Sequence, residues 1–176
     1  MNHNLKRLTI ISMLLAMAIV LNYLESFIPV FVPGVKLGLA NVIILIMLYE
    51  FKWYEALAVD ILRILIVSLI RGTILSPAFF MALSGGMLSY LIMLLFSRIK
   101  IFSKIGVSVL GSLSHATGQI VIAIILLDSF DLVYYLPFIA ILSVGTGIIS
   151  GIITSLYLKR SITNKFINIE DEKPIE

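Results

Sequence analysis

Apolar runs long enough to cross a lipid bilayer recur from one end of the chain to the other, and this constrains the fold more than any motif. A hydrocarbon core about 30 Å thick takes about 20 helical residues to span. Runs of this kind occur at about Leu8–Leu24, Val35–Phe51, Tyr54–Ile70, Ser76–Phe96, Ile105–Leu127 and Leu132–Tyr157. Their breaks carry turn or charge signals, such as Pro29, Pro33 and Gly34 in the first and Arg98–Lys104 in the fourth. The break at Lys52-Trp53 is the weakest, only two or three residues separating its flanking runs. None of the runs alternates polar with apolar residues, so they predict helices and not the strands of an outer-membrane barrel. The expected fold is all-α: a polytopic bundle of six transmembrane helices in one domain over residues 1–160. A short polar cytoplasmic tail, 161–176, would follow it.

Charge placement predicts the orientation. With the N-terminus inside, the inner segments hold Lys6, Arg7, Lys52, Arg98, Lys100, Lys104, Lys159, Arg160, Lys165 and Lys173. The outer segments hold Lys36 and Arg71, and Arg63 lies within a run. This asymmetry follows the positive-inside rule and places both termini in the cytoplasm. A multi-pass protein of a bacterial cytoplasmic membrane is the expectation. The first run leads into Asn22, Tyr23 and Glu25 with no small-residue cleavage site, and is therefore expected to be retained as a helix.

Several chemistries are excluded early. Of the chain's 176 residues 60% are hydrophobic and none is cysteine, which removes disulfides, thiolate catalysis, Cys-ligated zinc and iron–sulfur clusters. No aspartate-rich motif is present to hold magnesium and a diphosphate. A lone intramembrane histidine is too few for a metal site, and no catalytic triad can be assembled. GTGIISG in the last run resembles a phosphate loop only superficially, since it lacks the closing Gly-Lys-Ser/Thr. No catalytic residue, metal, cofactor or nucleic-acid partner is expected.

Small residues at helical spacing mark close helix packing: Ser12 and Ala16; Ala78, Ala82, Gly85, Gly86 and Ser89; Ser108, Gly111, Ser112, His115 and Gly118; Ser143, Gly147, Ser150, Gly151 and Thr154. Polar groups inside the runs are more informative. A charge at the bilayer centre costs about 2.5 to 3.5 kcal/mol and must face a partner or a wet cavity. Asp60 and Arg63 stand at i, i+3 and can pair. His115 and Gln119 lie one turn apart on the small-residue face. Lys36 lies at the outer mouth of the second run with Asn41 further in, and Arg71 closes the third. An interhelical hydrogen-bond network accounts for these residues at about 0.6 kcal/mol per bond. Their convergence from several helices favours a substrate-binding cavity lined by Lys36, Asn41, Arg63, Arg71, His115 and Gln119.

KLGLAN (36–41), ALSGGMLS (82–89) and GVSVLGSLSHATGQ (106–119), in this order, resemble the Gx transporter family, often labelled heptaprenyl diphosphate synthase component I. More distantly the layout is similar to the substrate-binding S components of energy-coupling factor transporters. Two positions depart from the family pattern: Ala116 follows His115 where asparagine is usual, and Arg71 replaces an apolar or aromatic residue. The resemblance implies a six-helix subunit that captures a small solute near the outer face. Vitamins, flavins and prenyl- or quinone-related compounds are the candidate solutes. It also implies a transmembrane coupling subunit driven by ATPases, docked on the first helix at Ser12 and Ala16. Two alternatives stand beside this one: a non-catalytic membrane component linked to prenyl diphosphate or quinone synthesis or to flavin-linked electron transfer, and a ligand-free membrane scaffold.

Overall fold

A computed structural model describes residues 3–27, 36 and 38–160; the expected polar tail lies outside the described residues. These residues form six α-helices and one 3-10 turn: α1 (His3–Glu25), α2 (Asn41–Glu50), α3 (Trp53–Ile70), α4 (Pro77–Ser97), α5 (Lys104–Leu127), the 3-10 turn Phe130–Tyr135, and α6 (Leu136–Arg160). No strand occurs among them.

Four segments are long and apolar enough to cross a bilayer: Leu5–Glu25, Pro77–Ser97, Lys104–Leu127 and the continuous Phe130–Arg160. The chain is a membrane protein. α3 has 18 residues but carries Glu55, Asp60 and Arg63. The second expected span differs most from the structure, because its helix has only 10 residues, about 15 Å at 1.5 Å per residue. Gly38 takes a left-handed φ of +86°, a conformation open to glycine and unfavourable for most residues. It keeps the first part of the apolar run out of the helix. Of that part, Lys36 and Ala40 are buried inside protein, where irregular backbone is tolerated when its polar groups are satisfied.

α2 is the axis of the bundle. It packs against all five other helices and buries eight of its ten residues, Asn41 to Leu48. A helix apolar all round belongs in such a position. α3 follows after Phe51 and Lys52 alone, and the Glu55 carboxylate accepts from the Lys52 N–H at 2.9 Å to cap its start. The same carboxylate holds Arg7 of α1 through two bonds, 2.7 and 3.1 Å.

α4, α5 and α6 pack more closely still. A methyl group at Gly151 would lie 2.6 Å from the Ile105 Cα, and one at Gly147 would lie 2.7 Å from that of Val109. At Gly118 it would meet the Ser84 carbonyl at 3.0 Å. The small-residue stripes on α4 to α6 are packing surfaces, with backbones in near contact. Pro137 sits in the first turn of α6, where its missing N–H leaves no helical bond unmade. The α6 helix therefore starts at Leu136, later than the apolar run, and the residues before it form the 3-10 turn.

The cysteine-free chain allows the orientation to be tested directly. Ile74→Cys, in the α3–α4 connection, should react with a membrane-impermeant maleimide in intact cells. Ser103→Cys, at the opposite end of the bundle, should react only after permeabilisation; the reverse pattern would invert the expected topology.

Candidate functional site

Because α2 is half-length, its N-terminus lies deep within the bundle. Asn41 is nine residues from the far end of the helix, about 14 Å by helical rise. The residues before it must find hydrogen-bond partners without water, and side chains from the neighbouring helices supply them. The Gln119 side chain on α5 accepts from the Lys36 N–H at 2.7 Å and donates to the Lys36 carbonyl at 3.3 Å. Glu25, at the end of α1, accepts from the N–H groups of Gly38 and, at 3.1 Å, Leu39. The Lys36 ammonium donates to the Asn22 side-chain carbonyl.

One turn deeper, α3 contributes a buried ion pair. Arg63 donates to the Asp60 carboxylate at 2.8 Å through Nε, with Nη2 at 2.6 Å from the same oxygen. Nη2 also donates to the Asn41 side-chain carbonyl at 2.9 Å, and the Asn41 amide donates to Ser89 Oγ on α4 at 2.9 Å. A polar chain thus links α3, α2 and α4 across the apolar interior.

His115 is buried beside this chain. Its ring lies against Gly38, where an added methyl would approach Cδ2 to 3.4 Å, and against Gly85, where one would approach Nδ1 to 3.2 Å. A methyl at Gly85 would also fall 2.7 Å from Gln119 Cγ. Among the described residues neither His115 nitrogen nor Asp60 Oδ2 has a hydrogen-bond partner, and the same holds for buried side-chain oxygens of Glu50, Ser112, Ser143, Ser150 and Thr154. Buried polar atoms are nearly always paired; the His115 nitrogens and Asp60 Oδ2 differ from the others in lying together beside the polar chain, where they leave hydrogen-bonding capacity in one place.

Of the six residues expected to line a site, Lys36, Asn41, Arg63, His115 and Gln119 gather here, all of them buried. Arg71 is exposed at the end of α3. Glu25, Asn22 and Ser89 are members that the sequence did not single out as contacts. Glu25 and Asn22 share one helical face at i, i+3 at the end of an apolar run, the pattern that marked Asp60 and Arg63. With Glu25 included, the cluster holds two carboxylates and two cations, Lys36 and Arg63, and its formal charge sums to zero; of these four, only Asp60 and Arg63 are in direct contact as an ion pair. Ser12 and Ala16 are exposed on the outer side of α1, opposite the buried Leu14 and Ala18.

A separate cavity of about 660 Å³ lies between α1, α2 and α6. Met13, Leu21, Leu39, Val42, Ile46 and Ile153 are among its lining side chains, and the walls are almost wholly apolar. α1 and α6 both contact α2, which forms the floor. Among the described residues, no group of three or more His, Asp or Glu side chains could hold a metal ion.

A family profile described as heptaprenyl diphosphate synthase component I matches residues 14–157. No curated protein and no solved structure gives a significant match.

Removing one member of the ion pair strands the other in the interior, which costs about 3 to 5 kcal/mol. Arg63→Met and Asp60→Leu should each lower thermal stability in detergent by that order. The double variant should be more stable than either, and strictly additive losses would show the two groups to be uncoupled.

Proposed function

The chain belongs to the heptaprenyl diphosphate synthase component I family, and from that premise we propose that it is a non-catalytic, substrate-binding membrane subunit. It captures a small polar or polar-aromatic solute at the cluster around the start of α2, in the manner of an energy-coupling factor S component. One observation carries this reading. Side chains from five helices and the Lys36 backbone meet at a helix N-terminus deep in the bundle, and among the described residues both His115 nitrogens and Asp60 Oδ2 are uncommitted. Helices that end within the bundle are a common way for membrane transport proteins to build a solute site; here Glu25 and backbone carbonyls already take N–H groups at that end, so the solute would meet side chains.

The charge balance refines the solute class. Glu25 and Asp60 already offset Lys36 and Arg63, so a solute with multiple hydrogen-bonding atoms and little net charge fits better than a bare anion. Arg71 would meet it at the rim, and His115 and Gln119 would bind it deepest. The solute would enter from the outer face of a bacterial cytoplasmic membrane. A transmembrane coupling subunit with ATPases would dock along the exposed Ser12 and Ala16 face of α1.

A second reading has support of its own. The cavity between α1, α2 and α6 is apolar and large enough for an extended hydrocarbon segment, which favours a non-catalytic membrane component serving prenyl diphosphate or quinone synthesis. Co-purification separates the two: coupling ATPases belong with the first, a prenyl synthase with the second.

A thermal-shift screen of the purified protein against vitamins, flavins, quinone precursors and prenyl phosphates tests the first reading. A binding solute should stabilise the wild type, and His115→Leu or Gln119→Leu should weaken its affinity at least tenfold. If no compound stabilises the protein and both variants alter only its basal melting temperature, the polar cluster is scaffold alone.

A further inference from the structure

The opposite end of the bundle holds a second cavity, of about 470 Å³. It opens where the α4–α5 connection meets the ends of α2 and α6. The residues that define its chemistry are Tyr49, Ser97, Lys100, Ser103, Lys104 and Ser155. Among the described residues no carboxylate lines it, and neither lysine has an ion pair with them of the kind Arg63 makes with Asp60. Lys104 is held with its ammonium 5.7 Å from the centre of the Tyr49 ring, leaving its positive charge available to a ligand.

The cavity also contains the start of α5. Ser103 caps that helix by accepting from the Gly106 N–H through Oγ at 3.0 Å and from the Val107 N–H through its carbonyl at 2.9 Å. The two preceding N–H groups have no partner inside the helix and point out of its start. Two ammonium groups, the Ser103 and Ser155 hydroxyls and a helix N-terminus around one hollow make a donor-rich, acceptor-poor site suited to a phosphate group; the Ser97 hydroxyl already donates to the Leu94 carbonyl at 2.9 Å.

The connecting segment specifies the source of that phosphate. Arg98-Ile99-Lys100-Ile101-Phe102-Ser103-Lys104 interleaves basic and apolar side chains. Ile101 is 90% exposed, and Ile99 and Phe102 are exposed too. Phe102 is fixed edge-on against Phe96 of α4, with ring centroids 4.7 Å apart. Exposed isoleucines beside lysines on a membrane protein belong at the headgroup boundary, where the apolar groups enter the acyl region and the ammonium groups stay at phosphate depth. We propose that this pocket holds the phosphate of an anionic phospholipid, with Lys100, Lys104 and the Ser103 and Ser155 hydroxyls as its ligands. It would anchor the α4–α5 connection to one leaflet, the inner one in the expected orientation. The site is independent of the solute cluster at the centre of the bundle.

The full chain, delipidated in neutral detergent, provides the test. Phosphatidylglycerol should raise its melting temperature by about 5 °C at a hundredfold excess over Kd, and phosphatidylcholine with the same acyl chains should not. The shift should disappear in Lys100→Gln/Lys104→Gln. It should also disappear in Ser155→Leu, which fills the cavity and leaves the charge unchanged. Lys159→Gln/Arg160→Gln, at the same end but outside the pocket, should keep it. Native mass spectrometry counts the lipids retained per chain independently of the melting temperature, and should show one fewer in both pocket variants. Equal stabilisation by the two lipids, or equal loss in the Lys159/Arg160 control, would overturn the site. A full shift from glycerol phosphate or pyrophosphate alone would overturn the lipid as its occupant.

Discussion

The guanidinium of Arg63, 2% exposed in the interior of the bundle, sets the terms for everything around it. An isolated charge there would cost several kcal/mol. Asp60 neutralises it, and Asn41 and Ser89 extend the hydrogen bonding to α2 and α4. These partners must be within about 3 Å of one another, so the helices that carry them are fixed in rotation and depth. Gly86 of α4 allows the approach, since a methyl there would meet Ile64 Cδ1 at 2.7 Å and the Asp60 carboxylate at 3.3 Å. A buried ion pair adds little net stability over apolar packing. It does restrict which helix arrangements are tolerable.

The half-length α2 is the second constraint. A helix that stops inside a bundle leaves its N-terminal backbone groups to be satisfied by protein. Glu25 and Gln119 perform this role for the segment leading into it, and the same two side chains bring α1 and α5 against that segment. The polar cluster is thus partly a structural requirement of the short helix. It exceeds that requirement at His115 and at the second oxygen of Asp60, where polar atoms remain unpaired.

Charge is handled in opposite ways at the two depths. In the interior every cation has a carboxylate close by, because low dielectric makes an unmatched charge expensive. In the α4–α5 connection Lys100 and Lys104 share a hollow with hydroxyls and aromatic rings and, among the described residues, no acid. That arrangement is affordable only where water or lipid headgroups can approach.

Much of this protein was written in local composition. Six apolar runs predicted the six helices, and small residues at helical spacing marked the α4–α5–α6 contacts that the structure contains. Asn41, Arg63, His115 and Gln119 were conspicuous as hydrophilic groups in apolar surroundings. Such properties are legible because transfer free energy and helical periodicity belong to each residue and its near neighbours. The tertiary structure alone decided that the second run becomes a ten-residue axis, that Glu25 joins the interior, that the cations there are balanced, and that one large cavity is apolar. Each of these depends on partners far apart in the chain, as Lys36 and Gln119 are at 83 residues' separation. No window of sequence contains both, and only packing determines which polar group a buried donor finds.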